Sequence, residues 1–324
     1  MKKVKLLYNL REDHPKWHQS DSFDQWADWD IEETVHHVHE ALRELEVNVT
    51  PIRIKYPVDF LAFDGHTPII SLCEMIGGSF REAIIPSICE AASTAYAFST
   101  PEVMLTTLDK GLCNYLVRDL GVVKVPRWSV SRVGYRNQSE FDGIYFPCII
   151  KPLHEGSGIG ISDSSVAYDF DTLQSTCSSI KSIYMQDVLV QEYIPGKEVT
   201  VGVIGTGKNS QSLAPIEMDL KGHLVYGFEA KERPAEKIIV SSIADKSLED
   251  RIKLAAVSIH NGLGCRDCSR IDLRVSENGE IHFIEINPLP HLHPKIGDFC
   301  RSGTFAGFQY TDLLSRVFER ILKA

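Results

Sequence analysis

SRIDLRV at residues 269–275 and IHFIEIN at residues 281–287, joined across a turn at Asn278 and Gly279, are the two runs whose reading decides the fold. Each is rich in β-branched residues, and together they predict a β-hairpin. Residues two apart in a strand face the same side, so Arg270 shares a face with Asp272, and Glu285 shares one with Asn287. Pairing the strands would bring three carboxylate or amide oxygens and one guanidinium together. Hard oxygen ligands of this kind suit magnesium, which keeps water and bridges to substrate phosphates. The competing reading is a solvated hairpin face. Against it, the alternate positions are apolar and the second run ends in Asn287-Pro288.

Working outward, FPCIIKP at residues 146–152 reads as a strand ending in Lys151, followed by the glycine-rich loop HEGSGIGI at 154–161. Exposed backbone N–H groups around Gly156, Ser157 and Gly158 could cradle phosphate oxygens, with Lys151 adding a point charge. A bare turn fits the same residues. The nearest approach to a Walker loop lies elsewhere: Gly202, Gly207 and Lys208 have the spacing, but Asn209 stands where a hydroxyl residue belongs and no helix follows, so a hairpin turn is expected there. Cys265 and Cys268 form a CxxC without a second pair, and read as small buried residues beside a strand. His36, His37 and His39 lie in a helical pattern as surface or half-buried groups. His291 and His293 follow the proposed metal strand directly and are candidates for a chemical role.

The amino-terminal part predicts a βαβ beginning: a strand in MKKVKLLYNL, a helix over about 31–45 and a second strand in NVTPIRI. Asp30 and Glu33 have the spacing of a capping box. A strand over 68–72 precedes Gly77 and Gly78, and helical spacing resumes over 80–91. Further on, LDKGLCNYLVRDL predicts a helix, VVKVPRW a strand stopped by Pro126, and DVLVQEYI, EVTVGVIG and SLAPIEM strands, with helices over about 248–262 and 310–322.

The chain has 324 residues, 43% apolar and 24% charged, enough for two or three compact units. A formal net charge of -10, without a basic stripe, argues against nucleic-acid binding. No apolar run approaches the roughly 18 residues of a membrane span. The first residues show no cleavage pattern, and eight scattered cysteines suggest reduced thiols, so a cytoplasmic protein is expected and the sequons at Asn48 and Asn137 carry no meaning.

An ordered set of segments, LDKGLCNYL, IIKPLHEGSGIGI, VQEYIPGKEVTVGV, LAPIEM, FEAKERPA, LGCRDCSRIDLRV and FIEINPLP, resembles the D-alanine–D-alanine ligases of the ATP-grasp superfamily from about residue 68 onward, and more weakly before it. The resemblance implies an α/β (α+β) ATP-grasp fold with an amino-terminal unit at residues 1–105, a central lobe at 106–195 and a carboxy-terminal lobe at 196–324. Lys110 and Lys151 look like the lysines holding the nucleotide phosphates, with Gly156, Ser157 and Gly158 as the flap over them and Lys231 reaching in from the other side. Glu192 and Ile194 look like the adenine hinge, and Glu198 like the ribose ligand. Asp272, Glu285 and Asn287 match the magnesium ligands, two ions being implied, with manganese able to substitute. Arg270 matches the arginine that stabilises the transition state; with Ser157, Lys231 and His291 it forms the expected catalytic group. The reaction implied is ATP-dependent joining of a small-molecule carboxylate to an amine through an acyl phosphate, by a homodimer.

The departures fall on the substrate side. The family's amino-terminal glycine-serine-glutamate signature is replaced by DHPKWHQSDSFDQWADWD at residues 13–30, in which Trp17, Trp26 and Trp29 could line a pocket or anchor the segment. Glu232 follows Lys231 where an aromatic residue is common, and His291 takes the place of a glycine whose backbone helps bind the reacting oxyanion. Ile296 and Gly297 stand where the second D-alanine's carboxylate would be gripped. These changes point to another amide, in a specialised biosynthetic pathway. The alternatives are a true D-alanine–D-alanine ligase with unusual loops and a nucleotide-binding protein without catalysis.

Overall fold

The computed structural model describes all residues except 1, 16–23, 56–63, 76–77, 132–142, 144, 229–237 and 324. The chain opens with β1 (Lys3–Tyr8), α1 (Glu32–Glu44), β2 (Asn48–Arg53) and β3 (Ile69–Ser71), a parallel sheet in the order β2-β1-β3. Val35, Val38, Ala41 and Leu42 recur at helical spacing on α1 and bury one stripe in the same core as Val4 and Leu6 of β1. The predicted βαβ beginning is present. The capping box is not: Ile31 is the N-cap and no side chain caps the helix. Asp30 turns its carboxylate elsewhere, as described below.

Next come α2 (Ile84–Ala91), α3 (Pro101–Leu108) and α4 (Lys110–Leu120). Thr100 caps α3 with Pro101 at its first position, and Asp109 caps α4 by accepting from the Leu112 N–H. Val122, Val123 and Val125 do not form the expected strand. Lys124 bridges only to His282, and the strand β4 begins later, at Trp128–Ser131, because Pro126 cannot join a ladder.

The second sheet is antiparallel, in the order β4-β7-β5-β6, with β5 at Cys148–Pro152, β6 at Val166–Ala167 and β7 at Val188–Glu192; α5 (Phe170–Tyr184) packs on it. The third sheet contains β8 (Lys197–Ile204), β9 (Gln211–Ser212), β10 (Ile216–Asp219) and β11 (Ile239–Ser242), then α6 (Lys246–Gly262), β12 (Cys268–Val275) and β13 (Ile281–Asn287), in the order β11-β10-β8-β12-β13 with β9 on β8. The chain ends with α7 (Asp298–Phe305), α8 (Tyr310–Val317) and α9 (Glu319–Lys323), so the single helix expected over 310–322 is broken at Phe318. Helices α3, α5 and α7 were not anticipated from the pattern.

The turn at Gly207, Lys208 and Asn209 joins β8 to β9, which settles the Walker-like spacing as a hairpin. The eight cysteines are free and buried. In CRDC the residue that connects elements is Asp267: it accepts from the Phe98 N–H at 2.7 Å and from Arg320 at 2.8 and 2.7 Å, holding the carboxy-terminal helix to the start of α3's approach.

Candidate functional site

β12 lies between β8 and β13 and is buried along its whole length, so its polar residues are not a solvated face. Register pairs Arg270 with Asn287 and Asp272 with Glu285, which brings together the two faces that alternation predicts, and a bulge follows between Asp272 and Leu273. Bulges re-aim side chains at the edges of active sites. Arg270 Nε and Nη2 donate to Asp272 at 3.0 and 2.9 Å, and Nη2 lies 3.7 Å from Glu285. Burial works against the Arg270 charge, and the carboxylates of Asp272, Asp298 and Glu285 outweigh it, so the guanidinium is held protonated. Thr200 of β8 donates to Asp272, and Lys110 at the start of α4 lies 3.5 Å from Glu285. Asn287 Oδ1 accepts from the Leu289 N–H at 2.8 Å, turning the chain past Pro288.

Two cavities meet at this strand pair. One is lined by Lys151, Gln191, Glu192, Ile194, Glu198, Asp272 and Glu285. The other takes Arg270, Asn287 and Ser157 together with Asp28, Asp30, Glu74, His291 and Asp298. Tyr226 borders both, and its hydroxyl donates to Asp298 at 3.1 Å.

In the first cavity, Glu198 is paired with Arg274 at 2.7 Å, and Arg274 also donates to the Ile194 carbonyl at 2.9 Å, tying the end of β7 to β12. Arg274 could have been found from sequence, since it continues the alternation of Arg270 and Asp272. Gln191 Nε2 is buried with no partner, and the Ile194 N–H has no acceptor among the described residues. Lys151, 4% exposed, donates to Gln191 at 3.2 Å, and burial lowers its pKa to about 8. An unspent amide donor, a free hinge N–H and a desolvated lysine fit a nucleotide with its phosphates near Lys151. A divalent ion held by Asp272, Glu285 and Asn287 would polarise phosphate oxygens and offset charge that develops on them.

The lowered lysine has a consequence for binding. A triphosphate favours the charged ammonium, so binding takes up a proton wherever Lys151 starts neutral. ATP affinity is expected to be level below about pH 8 and to weaken by up to roughly tenfold per pH unit above it. Titration calorimetry between roughly pH 7 and 9 checks this. A slope that survives in Lys151→Met would assign the effect to another group.

The glycine loop is present, with Ser157 at φ 47° and Gly158 at φ 75°. A Cβ at Gly158 would lie 2.8 Å from the Phe228 backbone nitrogen, so glycine is required by close approach as well as by φ. The loop's own N–H groups reach toward the amino-terminal stretch: Gly160 donates to Asp24 at 2.7 Å and Gly156 to Asp28 at 3.4 Å. Lys231 and Glu232 lie outside the described residues, as does Trp17. Trp29 is buried and donates to the Met75 carbonyl at 3.2 Å, while Trp26 packs edge-on to Phe228 under Arg11. Neither borders the second cavity; the aspartates between and beside them do. Sequence reasoning looked at the rings and missed the carboxylates.

Glu33, His37 and His293 bring potential ligand atoms within 4.8 Å of one another. His293 Nδ1, however, accepts from the Lys295 and Ile296 N–H groups at 3.1 and 3.3 Å, and burial lowers its pKa, so the neutral ring carries its proton on Nε2 and offers it to Glu33. That is a clamp on the loop, with no lone pair left for a metal.

The fold and the site now meet comparison with known proteins. A family model described as the D-ala D-ala ligase C-terminus matches residues 116–319. An uncharacterized Sinorhizobium fredii protein, y4sG, is 30% identical over 78% of this chain and 73% of its own length. The D-alanine–D-alanine ligase of Fervidobacterium nodosum is 28% identical over 77% of this chain and 81% of its own. In structure, the Bacillus anthracis D-alanine–D-alanine ligase complexed with ATP covers 100% of this chain, and the chain covers 98% of it, at a TM-score of 0.76 and 18% identity. The architecture is therefore the ATP-grasp fold. The chain belongs to the D-alanine–D-alanine ligase family and is an enzyme of the class that forms carbon–nitrogen bonds at the expense of ATP.

Proposed function

We propose that this protein joins a carboxylate to an amine through an acyl phosphate, and that its substrates are other than two molecules of D-alanine. The observation that carries the reading is the convergence of Arg270, Asp272, Glu285 and Asn287 across β12 and β13, between a cavity fitting a nucleotide and one lined by Asp28, Asp30 and Glu74. A carboxylate is a poor electrophile. Transfer of the γ-phosphate makes it reactive, attack by the amine expels phosphate, and both steps develop negative charge that fixed cations stabilise.

In this reading Lys110, Lys151 and Lys231 hold phosphates, Gly156, Ser157 and Gly158 cover them, Glu192 and Ile194 take the adenine, and Glu198 takes the ribose. Asp272, Glu285 and Asn287 hold magnesium, two ions in all, and Arg270 stabilises the transferring group. The three sheets support a division near residues 1–105, 106–195 and 196–324, although α4 packs with the third sheet's core. A homodimer in the cytoplasm completes the proposal. Among the described residues no helix is long and apolar enough to cross a membrane.

Substrate choice rests on the second cavity. Ile296 and Gly297 line it where the resemblance puts the grip on an acceptor carboxylate, and the Gly297 N–H is already donated to the His293 carbonyl. Burial pushes Glu74 and the nearby Glu82 well above the ordinary carboxylate range, the charge of Glu82 adding to the effect on Glu74. The second reading is a D-alanine–D-alanine ligase or a related D-Ala:D-Ser ligase, the activities for which its relatives are named. Incubation with ATP, magnesium and a panel of carboxylates, with hydroxylamine as trap, separates the two. A hydroxamate from another carboxylate together with no ADP release from D-alanine supports the proposal; rapid ADP release from D-alanine alone overturns it.

A further inference from the structure

His291 and Asp30 form a pair that the family resemblance leaves unexplained, since the corresponding position there is a glycine. His291 Nε2 lies 2.7 Å from Asp30 Oδ1 and 3.2 Å from Thr34 Oγ1. Asp30 is 6% exposed, Thr34 is fully buried on α1, and His291 sits on the loop that leaves β13. The ring stacks on that of His293 at 6.0 Å and 20°, and His293 is itself clamped by backbone N–H groups and Glu33. The imidazole is therefore held on two sides. Asp30 Oδ1 makes no aligned hydrogen bond, so its close approach acts as a charge that favours the proton on Nε2, where Thr34 Oγ1 is placed to accept it; Nδ1 then keeps its lone pair and has no hydrogen-bond partner among the described residues.

Both residues line the cavity that contains Arg270, Asn287 and Ser157. The same cavity carries Asp28, Glu74 and Asp298, with Arg11 and Arg270 as its cations. Asp28 is paired with Arg81 at 3.0 Å and Asp298 with Arg301 at 3.1 Å. The groups facing the pair from neighbouring elements are Glu33 and His37 of α1, His293 of the loop and Asp298 of α7. An aliphatic amine is an ammonium ion at neutral pH by its own basicity, and an ammonium has no lone pair and cannot attack. A base is then required.

We infer that His291, positioned by Asp30, is the general base that deprotonates the acceptor ammonium as it attacks the acyl phosphate. The inference rests on the ligase reading above. The nitrogen forms its bond to the carbonyl carbon and the bond from that carbon to the phosphate oxygen breaks, its electron pair leaving with phosphate. Of the three ammonium protons, one passes to His291 Nδ1, one leaves with the phosphate and one stays on the amide nitrogen. Asp30 stabilises the imidazolium that results.

Methylamine and hydroxylamine test this, being alike in size but unlike in charge: at neutral pH the first is an ammonium ion and the second a free amine. With a carboxylate identified by hydroxylamine trapping, the wild-type protein is expected to make both the methylamide and the hydroxamate. His291→Gln should lose methylamide formation by about 10²–10³-fold while keeping hydroxamate formation within about threefold, and its methylamide rate should recover as pH rises. Asp30→Asn should show the same split more weakly. Equal losses with both nucleophiles, an unaffected methylamide rate, or a wild type that makes the hydroxamate alone would overturn the base. No hydroxamate from any carboxylate would overturn the ligase reading itself.

Discussion

Arg270→Ala is expected to lower acyl-phosphate formation by about 10²–10³-fold, with the folded state retained. The guanidinium is 8% exposed, forks onto Asp272 at 3.0 and 2.9 Å and lies against Glu285, the place that the ligase proposal gives to the transferring phosphoryl group. One fixed donor in such a place contributes roughly 2.7–4 kcal/mol to the transition state. Its removal also takes the guanidinium fork away from buried Asp272, so stability is measured alongside activity. Arg270→Lys separates the two effects: the charge persists, the fork is lost, and activity should stay at least about tenfold below wild type. Hydroxamate yield and thermal unfolding are the measurements. Activity within a few fold of wild type in both variants would remove Arg270 from the catalytic group.

Asp267→Ala should cost about 3 kcal/mol of stability, the largest structural effect expected from a residue outside the cavities. Asp267 is 2% exposed and accepts from the Phe98 N–H and twice from Arg320, which also donates to the Tyr96 and Phe98 carbonyls. Without the carboxylate the Phe98 N–H is buried unpaired and the joint between the carboxy-terminal helix and the amino-terminal sheet loses its centre. Denaturant titration checks the value. A loss below about 1 kcal/mol, or one no larger than that of Cys265→Ala, would return the CRDC segment to simple packing.

The parts of the fold that were legible share a physical basis in local periodicity. β12 and β13 were read because alternation on a strand is rigid at period two, and a tight Asn-Gly turn leaves little choice of register. Alternation gave the shared faces; the pairing of Arg270 with Asn287 and of Asp272 with Glu285 depends also on the bulge, which puts them one residue out of step with the ladder beside the turn. α3 and α7 are eight residues each, barely two turns and too short to establish a period, and α5 carries its buried stripe on Leu173, Cys177 and Ile180 among serines and threonines. The strand expected over 122–128 failed because an isolated apolar run carries no information about a partner, and Pro126 removed the N–H needed to acquire one. The capping box at Asp30 and Glu33 failed for a related reason. Its spacing is local, but Asp30 found a long-range competitor in His291, and Glu33 found one in His293.

By itself, then, the sequence determined the family, through an ordered set of segments, and marked out the residues proposed for the nucleotide half: a strand pair carrying oxygen atoms and lysines beside a glycine loop, each encoded within a few residues. The sequence showed where the chain departs from its family, but only the tertiary structure decided which groups surround the proposed substrate cavity. Asp28 and Asp30 from the amino-terminal stretch, Glu74 after β3, His291 after β13 and Asp298 on α7 come from four separate stretches of the chain, and only packing brings them around one cavity. Charges that meet through long-range contacts leave no period and no spacing in the sequence.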